Sequence, residues 1–124
     1  MVGGKKIRVL IANPTRVFRD LVYEAIRRQP GIEVVGDVSE EEAILAATER
    51  TNADCVIVPL DGSGRPFATY LEILTSRPDA KILAIGAGTN VLALYWRCKD
   101  GEVRSTYSTA SRKSILQAIH FSTS

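Results

Sequence analysis

Apolar runs alternate with helix-period stretches about every twenty residues along most of the chain, and this alternation constrains the fold more than any other feature. It is the pattern of βα units, in which strands run parallel and helices cover both faces of the sheet. Residues 7–12 (IRVLIA) read as a first strand, and 17–28 carry Val17, Phe18, Leu21, Val22, Ala25 and Ile26 in a helical stripe. Gln29-Pro30-Gly31 stops that helix. A second strand is expected over 32–36. Ser39 with Glu42 reads as a capping box opening a helix that runs to about Arg50. Residues 55–60 (CVIVPL) are apolar throughout, as a strand covered on both faces requires. A loop over 61–66 leads into a third helix, with Pro66 suited to its first position and its end before Pro78. Residues 81–85 (KILAI) give a fourth strand, 90–99 a fourth helix closed by Gly101, 102–107 a weaker edge strand and 111–121 a closing helix. The expectation is therefore an α/β, doubly wound (βα)5 domain. It has a five-stranded parallel sheet in flavodoxin-like order 2-1-3-4-5 and helices on both faces.

The length of 124 residues fits one domain, with its core over about 7–121, and is enough to bury that core without disulfides or metals. No apolar run approaches the roughly 18 residues that cross a bilayer. The N-terminus shows no signal-peptide pattern, and Cys55 and Cys98 form no disulfide framework or zinc spacing. These features point to a cytoplasmic protein. A net charge of +2 without clustered Lys and Arg does not argue for direct nucleic-acid contact. An open parallel sheet works at the carboxyl ends of its strands. Here those ends are Asn13-Pro14, Pro59-Leu60-Asp61, Gly86-Ala87 and Ser108-Thr109.

On the stretches IRVLIANPTRVFRD, QPGIEVVGDVSEEEAI, ADCVIVPL, RPDAKILAIGA and SRKSILQAI, the chain resembles the receiver domain of bacterial response regulators. The resemblance is strongest to the subfamily that carries a C-terminal LuxR-type helix-turn-helix, and it extends over residues 7–119 without a gap. It implies a role in two-component signal transduction, where an acidic pair holds Mg²⁺ and an Asp accepts the phosphoryl group. A Thr or Ser and a Lys complete that site. Laid on this sequence, the acidic pair falls on Asn13 and Pro14, and the acceptor on Pro59. The hydroxyl position falls on Gly86, the lysine on Ser108, and the switch aromatic on Ser105 with Tyr107 close by. Magnesium wants hard anionic oxygens, and phosphoryl transfer needs charge neutralised around the acceptor. The resemblance thus implies a pseudo-receiver that has lost its phosphorylation chemistry, with no cofactor, no metal and no enzymatic activity.

Other readings of the same loops are plainer. Asp61-Gly62 is first a turn signal, and Asn13-Pro14 can simply begin a helix. A small ligand in the vacated pocket is the lesser alternative, because neither glycine-bearing loop matches a phosphate-binding fingerprint. In the expected fourth helix, Val91, Leu94, Tyr95 and Cys98 make a stripe for the sheet, while Leu92 and Trp96, at i and i+4, point elsewhere. In receivers the fourth helix, fifth strand and fifth helix form the usual output and dimer face. Leu92, Trp96 and Tyr107 are accordingly the candidate interaction residues, for a protein partner or a homodimer. The expected function is protein–protein interaction. The alternatives are the regulatory half of a LuxR-type transcription factor, or a small-molecule sensor.

Overall fold

The computed structural model of the chain describes residues 6–12, 16–60, 67–86 and 90–121. Six strands form one sheet: β1 (Ile7–Ala12), β2 (Ile32–Val38), β3 (Cys55–Pro59), β4 (Lys81–Ile85), β5 (Val91–Arg97) and β6 (Val103–Thr109). The order across the sheet is β2-β1-β3-β4-β5-β6. The first four strands pair in parallel, and β3 and β4 are the most deeply covered, with Val56, Ile57, Ile82, Leu83 and Ala84 fully buried. That is why their sequences are apolar without alternation. Helices α1 (Arg16–Ile26) and α4 (Arg112–His120) cover one face through Val22, Ala25, Ile26, Ile115, Ala118 and Ile119. Helices α2 (Ile44–Thr51) and α3 (Phe67–Ser76) cover the other through Ile44, Ala47, Tyr70, Ile73 and Leu74. The α/β class, helices on both faces and the order 2-1-3-4 of the parallel strands match the sequence expectation.

The distal third departs from it. Residues 90–99 do not form a fourth helix. They hold β5, which runs antiparallel to β4 with Ile82 opposite Tyr95 and Ile85 opposite Leu92. The sheet therefore has six strands rather than five and is mixed rather than wholly parallel. The physical reason lies in burial with a period of two. Leu92 and Leu94 enter the core under α4, and Ala93 enters the core on the α3 side. A segment buried on both faces is apolar all round, whether it is helix or strand. Asn90 enters the strand from a left-handed conformation (φ 56°), while the Gly86 N–H donates to Val91 O at 2.8 Å. Gly101 does not cap a helix. It closes the β5–β6 hairpin at φ 89°, its N–H donating to Cys98 O at 2.9 Å. Only glycine adopts that backbone without strain. The Asp100 carboxylate accepts from the Glu102 N–H at 2.9 Å and completes the turn.

A second, smaller correction concerns the helix expected from Ser39. The segment Glu41–Ala43 is a 3-10 turn, and α2 starts after Ala43 without a side-chain cap. The capping box is found instead on α4, where Ser111 and Ser114 exchange side-chain and backbone hydrogen bonds. The other end of α4 is held by Lys81 of β4. Its buried ammonium donates to Ile119 O and, at 2.6 Å, to Phe121 O. A cation there meets the negative end of the helix dipole. Burial pushes the Lys81 pKa down, against smaller opposing effects of Cys55 and Asp54.

Candidate functional site

The carboxyl ends of β1, β3, β4 and β6 lie at the same end of the sheet, because β6, antiparallel to β5, runs parallel to the first four. Pro59 ends β3 opposite Ile85, and the Leu60 N–H donates to Ile85 O at 2.8 Å. Gly86 follows directly, buried, with its N–H committed to Val91. Pro59 and Gly86 are thus brought together on adjacent strand ends. Ser108 is not brought to them. It pairs with Leu92, which pairs with Ile85, so a whole strand separates it from β4 and the gap is about 10 Å. Asn13, Pro14 and the Asp61-Gly62 pair, read above as a turn signal, lie outside the described residues.

The described residues at this end of the sheet offer little for a cation. Proline brings no side-chain donor, and glycine brings only backbone. Among the described residues no group of three or more His, Cys, Asp or Glu could hold a metal ion. The residues described here do not fit a magnesium site, which needs several hard oxygen ligands. A cavity of about 200 Å³ opens beside Gly86 on the α1–α4 side, lined by Ala25, Ile85, Asn90, Ser111 and Ile115 among others. Its walls are mainly apolar. Neither Pro59 nor Ser108 reaches it.

The candidate interaction residues separate in the same way. Leu92 is only 2% exposed and belongs to the core, so it does not point away from the sheet as a helical Leu92/Trp96 pair would. Trp96 is half-buried on the same face, its ring 4.9 Å from that of Phe121 and tilted by 56°. Tyr107 lies on the opposite face and is 62% exposed. It extends a row of tyrosines. Tyr70 and Tyr95 have ring centroids 5.6 Å apart, and Tyr95 and Tyr107 meet edge to face at 6.4 Å. The two hydroxyls of that second pair are 3.5 Å apart. Burial first, and then the hydrogen bond to Tyr107, raise the Tyr95 pKa above the usual phenol range. Sequence reasoning found Tyr107 but missed the row, because the row exists only once β5 and β6 are paired. The available signal was Asp100-Gly101 between two strand-like runs, a hairpin signature.

No family model matches the chain. Among curated proteins it is similar to protein-glutamate methylesterase/protein-glutamine glutaminase 1 of Xanthomonas campestris pv. campestris, with 29% identity over 94 residues. That similarity takes in 71% of this chain but only 26% of the relative, so the chain spans about a quarter of the relative's length. Among solved structures it is similar to a two-component response regulator of the LuxR family from Aurantimonas sp. SI85-9A1. The identity is 20%, the TM-score 0.56, and the match takes in 66% of this chain and 59% of that one. It is also similar to the NarL signal receiver domain from Mycobacterium tuberculosis, with 21% identity, a TM-score of 0.58 and 68% of each chain covered. Taken with the order β2-β1-β3-β4 and the placement of the helices, these similarities show that the chain has the fold of response-regulator receiver domains.

Proposed function

We propose that the chain is an atypical receiver domain of a bacterial signal-transduction protein. On this reading it is not phosphorylated at the usual site and acts by protein–protein contact through its distal strands. The observation that carries the reading is Pro59 at the carboxyl end of β3, where the resemblance places the acceptor. A proline has no nucleophile. Ser108, in the lysine slot, carries no charge and is held a strand too far out to grip a group at Pro59. The contact surface is the part of β5 and β6 that no helix covers, with Tyr107 its most exposed large apolar side chain. No described helix is long and apolar enough to cross a membrane, and the cytoplasm is the compartment the reading calls for. The test is incubation with acetyl phosphate or beryllofluoride, followed by intact mass and amide spectra. No mass gain and no spectral change are expected, and a stable phosphoryl adduct would sink the reading. Substitution of Tyr107 or Trp96 by alanine should weaken association with itself or a partner while leaving the fold intact.

A second reading is favoured by coverage. The match takes in 41% of an RcsB response regulator of Salmonella typhimurium described for its DNA interaction, and 26% of the curated relative. As the regulatory part of a longer transcription factor, it would pass its contacts to a DNA-binding domain. The length of the natural open reading frame decides between a free module and such a part.

A further inference from the structure

The sheet ends in β2 on one side and β6 on the other, and the backbone pattern of β6 has a definite phase. The Cys98 N–H donates to Glu102 O, and the Ala110 N–H donates to Asn90 O. With Leu94 opposite Thr106, these bonds fix the ladder: residues 104, 106 and 108 turn their N–H and C=O groups towards β5. The N–H and C=O groups of Val103, Ser105, Tyr107 and Thr109 therefore face outward, and the sheet order ends there. The usual protections of an edge are charge, proline, a bulge or a covering element. Here the only charge is Arg104, drawn towards Asp100 at 3.8 Å and Glu102 at 3.9 Å at the hairpin end. Among the described residues, the stretch from Ser105 to Thr109 has none of these protections, and all of it is exposed.

We infer that β6 pairs antiparallel with β6 of a second copy of this chain, about a two-fold axis at Thr106. This rests on the interaction-module reading and names its partner. Under that symmetry Ser105 faces Tyr107, Val103 faces Thr109, Arg104 faces Ser108 and Thr106 faces itself. The four residues with outward backbone groups all fall at hydrogen-bonded positions, a match that a shift of one residue destroys. The one charged side chain meets a serine and not its own copy, so no like charges oppose. On the α3 face the two Tyr107 rings become diagonal neighbours across the axis, within reach of one another. The Tyr70–Tyr95–Tyr107 row then continues into its symmetry mate. Two six-stranded sheets join into one of twelve, and no β6 edge remains.

The test is sedimentation velocity from micromolar to near-millimolar protein, with circular dichroism as the control on folding. Wild type should dimerise. Tyr107→Pro removes an outward N–H without touching the β5–β6 ladder, and Thr106→Lys sets two cations face to face at the axis. Each should raise the dimer dissociation constant at least about tenfold, since every loss is doubled by symmetry. In a Cys98→Ser background, Thr106→Cys should form an intermolecular disulfide under mild oxidation, and Arg104→Cys should not. A wild type that stays monomeric throughout overturns the pairing, as does a dimer unaffected by both edge substitutions. If such a dimer is lost in Trp96→Ala, the interaction module survives and the edge pairing does not. Phosphoryl uptake would remove the pseudo-receiver reading and leave the edge pairing standing.

Discussion

Leu92 separates the strand seen here from the helix that its sequence invites. As part of β5 it is 2% exposed, packed between the β4 and β6 ladders in the core beneath α4. Leu92→Ala removes three carbons. At about 0.8 kcal/mol per buried carbon the transfer loss is roughly 2.4 kcal/mol. The cavity left behind raises this to about 3 kcal/mol, inside the usual range for leucine truncation in a core. For a chain of this length each kcal/mol moves the thermal midpoint by about 4 °C, so the midpoint should fall by roughly 12 °C. Urea denaturation followed by far-ultraviolet circular dichroism measures the loss directly, and an unchanged m-value shows that the native state has kept its compactness. On an exposed helix face the same substitution would move stability by no more than about 0.5 kcal/mol and act on association instead. A loss below about 1 kcal/mol at constant m would refute the placement of Leu92 and with it the register of β5.

Two further predictions concern buried groups. Lys81→Met keeps the apolar stem but removes the donor to Ile119 and Phe121. Stability should fall by about 1 kcal/mol, with amide exchange in the last turn of α4 rising more than in α1. Burial pushes the Cys55 thiol from 9.0 up to about 12, with Lys81 opposing and Asp54 adding to the shift. A raised folded pKa means that this contribution is complete below pH 9 and is lost as pH climbs towards 12. The loss approaches about 1.4 kcal/mol per pH unit for one proton. The depressed pKa of Lys81 works the other way, adding stability as pH rises towards the ordinary lysine value of 10.5. The difference between wild type and Cys55→Ala isolates the thiol. Equal alkaline slopes for the two would remove it as a source.

The parallel half of the molecule was legible because its signals are redundant. A run such as CVIVP is too apolar for a half-exposed strand and too short for a helix, so only a doubly covered strand remains. The Asp100-Gly101 hairpin signal is present in the sequence as well, but reading Gly101 as a helix stop passes over it. Within the candidate site, Pro59 and Gly86 sit where the sequence places them, on adjacent strand ends. Ser108 does not, because its position depends on how many strands precede it in the sheet, which residue counting cannot tell. The cap that Lys81 sets on α4 has no sequence signature either. It joins residues 38 and 40 positions apart, whose meeting depends on the finished fold.

Spacing was blind at this point for a geometric reason. After β4 the chain must return to the amino end of the sheet before another strand can run parallel. Ten helical residues advance about 15 Å, and seven extended ones about 23 Å. With its flanking loop residues either return can pass a five-residue strand such as β4, about 16 Å long, so a gap-free alignment is compatible with both. The consequences differ sharply. A returning helix lies on a face of the sheet and leaves the next strand beside β4. A returning strand takes that place itself. It moves Ser108 one position outward, leaves Tyr107 without a helix above it, and makes β6 an edge with a single partner. The displaced lysine slot, the exposed tyrosine row and the open edge thus share one cause. The surface proposed for association therefore depends on β5 being a strand, paired between β4 and β6.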